Sequence, residues 1–162
     1  MYIKAFDIRW NDLDANKHLG NSTYVEYMSD TRMSFLMSHG LSLDVINNFG
    51  LGPIVMYEHV YYFKEIELDD KIKVSLEVSG MSEDGRFIKM EHNFYNELGK
   101  NLANAEMLFS WMDLETRRFG RISNEFLQKI EGFPRTKNFK ILTKEDTKNL
   151  IKKPIDLPDS VL

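Results

Sequence analysis

The chain has 162 residues, 43% of them hydrophobic and 28% charged, and carries a net charge of −4. That length suits one domain able to bury a core without staples, and the negative charge argues against a general nucleic-acid binder. With no cysteine, disulfides and thiolate metal sites are excluded; the composition suits a reducing cytosol, so we expect a cytoplasmic protein.

The first ten residues, "MYIKAFDIRW", alternate apolar and polar side chains and lack the apolar run of a signal peptide. They predict a first strand over Tyr2–Trp10. No run approaches the roughly 20 apolar residues of a membrane span. Next comes "NDLDANKHLG", with more polar chemistry than a turn requires. In "NSTYVEYMSDTRMSFLMSHG", Tyr24, Val25, Met28, Phe35 and Leu36 share one broad helical stripe. This segment predicts a long, largely buried helix, capped by Asn21 or Ser22 and ended by Gly40. A short helix follows around "SLDVINN".

From Ile54 to Asp113 four runs read as strands: "PIVMYEHVYYF", "DKIKVSLEVSGM", "RFIKMEHNFY" and "NLANAEMLFSWMDL". Asp84-Gly85 and Gly99 mark tight connections, so the sheet is expected to be antiparallel. "SNEFLQKIEGF" predicts a second helix capped by Ser123 or Asn124. Within "TKEDTKNLIKK", Thr143 and Asp146 are spaced as a capping box. The order of elements predicts an α+β domain over residues 1–133, one antiparallel sheet curled around a long helix. Residues 134–162 form a basic tail with one short helix. From Arg135 onward seven basic residues face four acidic ones, a surplus suited to an anionic ligand, to another subunit or simply to water.

Asp14, Asn16 and His18 stand two residues apart, and Asn21 follows where the long helix begins. A helix N-terminus offers unpaired N–H groups and the positive end of the macrodipole, which together stabilise a developing oxyanion. A carboxylate beside it could attack a carbonyl or activate water. The alternative is that Asp12 and Asp14 only shape the turn. His39, His59 and His92 are scattered, and no pair has helical metal-ligand spacing, so no metal site is expected. Arg117, Arg118 and Arg121 read as a solvated hairpin end, and Trp10 and Trp111 as core or interface.

The stretch "DLDANKHLGNSTYVEYM" resembles the signature of hotdog-fold thioesterases of the 4-hydroxybenzoyl-CoA thioesterase superfamily, in particular the acyl-ACP thioesterase branch. "FKEIELDDKIKVSLEV" and "MDLETRRFGRIS" are similar to later parts of that family's domain. The resemblance spans roughly residues 3 to 132 and implies the hotdog fold, an antiparallel sheet wrapped around a central helix. It implies a hydrolase acting on acyl-CoA or acyl-ACP thioesters in lipid metabolism, without metal or redox cofactor. It also implies a homodimer, with a tetramer as the larger option, and no membrane partner. Position by position, Asp14 matches the catalytic carboxylate, and Asn16 and His18 match residues that orient substrate or water. Asn21 matches the position whose N–H polarises the thioester carbonyl. Glu65 falls where the acyl-ACP branch has a catalytic Glu, although only Lys64 stands for its two preceding basic residues. Lys17 replaces a usual Gly or Gln, and Gly20 replaces the first Asn of a pair. Two other readings stay open: a hotdog enoyl-thioester hydratase or dehydratase, and a non-catalytic acyl-thioester binding protein.

Overall fold

A computed structural model describes residues 1–148, 152 and 154–158. The chain runs β1 (Tyr2–Asp7), a 3₁₀ turn at Trp10–Asp12, α1 (Asn21–Ser38), α2 (Leu43–Asn48), β2 (Leu51–Tyr62), β3 (Lys71–Ser82), β4 (Phe87–Tyr95), β5 (Asn101–Asp113), α3 (Asn124–Glu131), β6 (Arg135–Leu142) and α4 (Lys144–Lys148). The main sheet has the order β1-β3-β4-β5-β2, all antiparallel, with α1 packed across one face. This is the hotdog arrangement expected from the sequence, an α+β fold.

Period-two patterning sets which face is buried. In β4, Ile88, Met90, His92 and Phe94 are buried while the residues between them are only half-buried. In β5, Ala103, Ala105, Met107, Phe109 and Trp111 point the same way, and Met28, Phe35 and Leu36 of α1 are buried with them. The core forms two clusters. One gathers Phe35, Leu36, Trp111 and Phe126 at the far end of α1; the other gathers Tyr24, Met28, Ile72, Val74 and Phe94 at its start. Trp111 is thus core, whereas Trp10 is exposed on the 3₁₀ turn.

The helix ends follow local chemistry. Gly40 has φ +72°, and the N–H groups of Gly40 and Leu41 donate to the carbonyls of Met37 and Leu36, closing a Schellman motif. At the other end the expected cap is shifted by one or two residues. Gly20 is the N-cap, and Asn21 instead accepts the Ser22 N–H on its side-chain oxygen. Ser42 and Ser123 cap α2 and α3 as their positions suggest. The Thr143–Asp146 capping box is also present; 149–151 and 153, which complete the helix expected there, lie outside the described residues.

Two boundaries differ from the sequence expectation. β1 stops at Asp7, because the Asp12 carboxylate draws the Arg9 N–H to 2.7 Å and folds the chain into a 3₁₀ turn. Residues 135–142, a stretch of weak alternation with one arginine and two lysines, form β6. It runs parallel to Val78–Ser82 on the edge of β3 that β1 vacates after Leu76.

Candidate functional site

Four of the five residues singled out from the sequence line one cavity of about 780 Å³. Asp14, His18 and Asn21 meet Glu65 there, together with Leu19, Tyr24, Tyr62, Phe63 and Lys64. Two polar strings converge to build it. Residues 12 to 20 fold back on themselves, Asp14 N–H donating to the His18 carbonyl at 2.8 Å and Gly20 N–H to the Asp12 carbonyl at 2.9 Å. The end of β2 turns sharply where Phe63 and Lys64 both donate to the Leu102 carbonyl. The Leu19 N–H then bonds the Ile66 carbonyl at 2.7 Å, lacing the two strings side by side. That lacing brings Glu65 to His18 across 47 residues of sequence, with Nε2 and Oε2 4.0 Å apart.

Asp14 is exposed at the cavity wall. Its Oδ1 accepts the Asn16 N–H at 2.8 Å and the His18 N–H at 3.2 Å, an Asx turn made possible by Lys17 at φ +66°. These bonds, the His18 one foremost, hold its carboxyl below the usual carboxylate range, so it is ionised at neutral pH. Both bonds fall on Oδ1. Asn16 is not among the cavity-lining residues; its side chain is exposed, and its contribution is the backbone bond that orients Asp14.

Asn21 opens the 18-residue α1, and Gly20 supplies no capping side chain. Among the described residues, nothing accepts the Asn21 N–H. A free N–H at the positive end of a long helix therefore borders the same cavity as an ionised carboxylate. About one turn along α1, in the lining of the same cavity, the ring of Tyr24 meets that of Tyr62 edge-on at 4.9 Å. Burial, then the Tyr62 ring, pushes the Tyr24 phenol up to about 12, leaving it a neutral donor.

Asp12 has another task. It is 2% exposed and accepts Arg9 Nε, Arg9 Nη2 and the buried Tyr27 hydroxyl, while its carbonyl receives Thr23 Oγ1. Burial raises its pKa, but the Arg9 and Tyr27 bonds outweigh this and leave it lowered overall. It ties the turn to α1.

His18, Glu65 and Glu67 bring one ligand atom each within 4.8 Å of one another. Sequence spacing hides this group, because Glu67 joins it only through a backbone bridge between 18 and 67. Tyr24, Tyr62 and Phe63 are equally illegible as site residues, since in sequence they read as helix stripe and strand.

Residues 8–130 match the model of the thioesterase-like superfamily. No curated protein sequence matches the chain. Among solved structures, a hypothetical protein from Staphylococcus aureus in complex with CoA superposes with a TM-score of 0.75 at 23% identity, over 97% of this chain and 95% of that one. A DHNA-CoA thioesterase from the same organism gives 0.71 at 19% identity, covering 80% and 85%. A 1,4-dihydroxy-2-naphthoyl-CoA thioesterase from Synechocystis gives 0.70 at 16%, covering 81% and 96%.

Proposed function

The chain belongs to the thioesterase-like superfamily, and on that premise we propose that it hydrolyses acyl-CoA or acyl-carrier-protein thioesters to a free carboxylic acid and a thiol. The observation that carries this reading is the pairing of an ionised, oriented Asp14 with the uncapped Asn21 N–H at one cavity. As the thioester carbonyl becomes tetrahedral, charge collects on its oxygen. A preorganised N–H at a helix N-terminus stabilises that charge where it develops.

Asp14 supplies the attacking group through Oδ2, its Oδ1 being held by the turn. Held ionised at neutral pH, this carboxylate is in the form that attacks a carbonyl directly. The C–S bond breaks, the thiolate leaves and takes a proton, and water then cleaves the acyl–Asp14 anhydride to release the acid. His18, with Glu65 beside it, orients water at the cavity, and Asn16 fixes Asp14 through its N–H. The same residues place no demand on a metal or redox cofactor. Residues 1–133 form the catalytic domain in this reading, and the segment from 134 adds β6 to it; the family match over 8–130 supports the division. A homodimer, singly or paired into a tetramer, is part of the proposal, because β2 ends the sheet with Val55, Tyr61 and Tyr62 exposed.

Thiol release from short, long and aromatic acyl-CoAs tests the reading, with Asp14→Ala beside the wild type. Loss of roughly 10³-fold or more in kcat is the expected outcome, in the range seen when a catalytic group is removed. Equal rates in both proteins would remove Asp14 from the mechanism. Consumption of an enoyl-CoA double bond without thiol release would mean hydratase chemistry instead.

A further inference from the structure

Between the two core clusters runs a polar belt that the proposed chemistry does not use. Arg32 on α1 donates Nη1 to Glu58 Oε1 on β2 at 2.8 Å, both side chains largely buried. On β4, between Met90 of one cluster and Phe94 of the other, His92 is fully buried, and among the described residues neither ring nitrogen has a hydrogen-bond partner. Ion pairs and orphaned imidazoles in a core cost stability that apolar residues would not. A function is the simplest reason to retain them.

The belt borders a second cavity of about 160 Å³, walled by Met33, Leu36, Ile54, Met107 and Phe109, with Arg32 the charged residue in its lining. Among the described residues the guanidinium makes one hydrogen bond, although it carries five donors. Apolar walls around a donor with spare capacity describe a ligand pocket rather than a packing defect.

This cavity lies on the same seam as the catalytic one. The Tyr24–Tyr62 and Arg32–Glu58 contacts join side chains of α1 and β2 at the first cavity and at the second, in antiparallel order along the two elements. Val25 and Ser29 are exposed along the intervening stretch of α1. From Asn21 to Arg32 the helix rises roughly 16 Å. An extended chain gaining about 1.2 Å per bond spans that with on the order of ten carbons.

We propose that the second cavity receives the distal end of the acyl chain and that Arg32 selects chains bearing a neutral hydrogen-bond acceptor there, a hydroxyl or keto oxygen. This rests on the thioesterase reading and names its substrate class. Glu58 already neutralises Arg32, so a distal carboxylate would face Glu58 in a poorly screened site. A plain methyl end would leave the guanidinium donors desolvated and unpaired. A neutral oxygen does neither. His92, uncharged at neutral pH, adds no competing charge.

The experiment compares medium-chain acyl-CoAs ending in a methyl group with the same chains ending in a hydroxyl. It uses thiol release and, separately, calorimetric binding of the non-hydrolysable thioether analogues. Wild type is expected to favour the hydroxyl end by about tenfold or more in kcat/KM and in affinity. The paired change Arg32→Met with Glu58→Leu, which leaves no lone charge buried, should abolish or invert that ratio while leaving kcat on a short acyl-CoA near wild type. Arg32→Lys, keeping the charge without the fork, should retain part of it. A wild-type ratio near one in both assays overturns the inference and leaves the catalytic reading standing, whatever the variants do. If no ester releases thiol but the hydroxyl thioether still binds in an Arg32-dependent way, catalysis falls and the cavity assignment stands.

Discussion

Two aspartates, two residues apart, have opposite fates. Asp12 is buried under Arg9 and the Tyr27 hydroxyl, whereas Asp14 is exposed and anchored by backbone N–H groups alone. Asp12→Ala strands the buried Tyr27 hydroxyl and frees the Arg9 N–H that the turn is built on, so it should cost about 1–3 kcal/mol in urea unfolding. Asp14→Ala should leave the unfolding midpoint nearly unchanged while removing turnover, and the crossed result would exchange their roles. His92 gives a pH signature. Burial foremost, then Arg32, pushes its pKa down from 6.5 to about 3 in the folded protein. Above pH 6.5 both folded and unfolded states hold it neutral and it costs nothing. As pH falls through 6.5 the unfolded chain takes up a proton that the folded one refuses, so stability drops from there towards pH 3. Carboxylates titrate mostly below about pH 5.5, so the window is read from pH 6.5 to roughly 5.5, and the difference between wild type and a His92 variant, which share every other titrating group, isolates His92. Unfolding free energies for His92→Leu should be flat across that window where wild type declines; parallel curves would assign the decline elsewhere.

At the scale of elements, the site is the meeting of a helix start and a strand end. With Gly20 as its N-cap, α1 starts without a capping side chain on that residue, and among the described residues the Asn21 N–H has no acceptor. β6 is a different kind of element. It closes over Gly80, where a Cβ would come 2.6 Å from Leu142 Cδ2 and 3.2 Å from the Lys140 carbonyl oxygen. Gly80→Val should therefore lift β6 from β3 and expose the amides of 140–142 to rapid hydrogen exchange. Because β6 pairs with the end of β3 remote from Glu65, thiol release should stay within about twofold of wild type. Retained protection at 140–142 would show that the strand tolerates the side chain.

For the whole molecule, the open flank of β2 and its exposed Val55 and Tyr61 are the natural place for a second copy. Light scattering should give at least twice the 19.1 kDa chain mass. Val55→Lys with Tyr61→Lys, placing like charges on both sides of a symmetric contact, should return it to a monomer. A wild-type monomer would rule out the second copy, and a variant that stays dimeric would move the contact away from β2. No helix among the described residues is long and apolar enough to cross a membrane.

What the sequence determined by itself was local. Residue periodicity, turn glycines and capping serines lie within a few positions of one another, so strand, helix and hairpin order could be read along the chain. So could the cluster Asp14, Asn16, His18 and Asn21, because a strand-to-helix turn holds it within eight residues. The strand β6 carried no such signal, since its pairing partner is about 60 residues away and its own alternation is weak. Tertiary structure decided the rest. Asp12 and Asp14 look alike in sequence, and only the approach of Tyr27 makes one a strut and leaves the other open. Arg32, Glu58 and His92 come from three elements, and their meeting across the core depends on the register of α1 against β2 and of β4 against β5. Register is a property of packed faces, and no single stretch of chain encodes it.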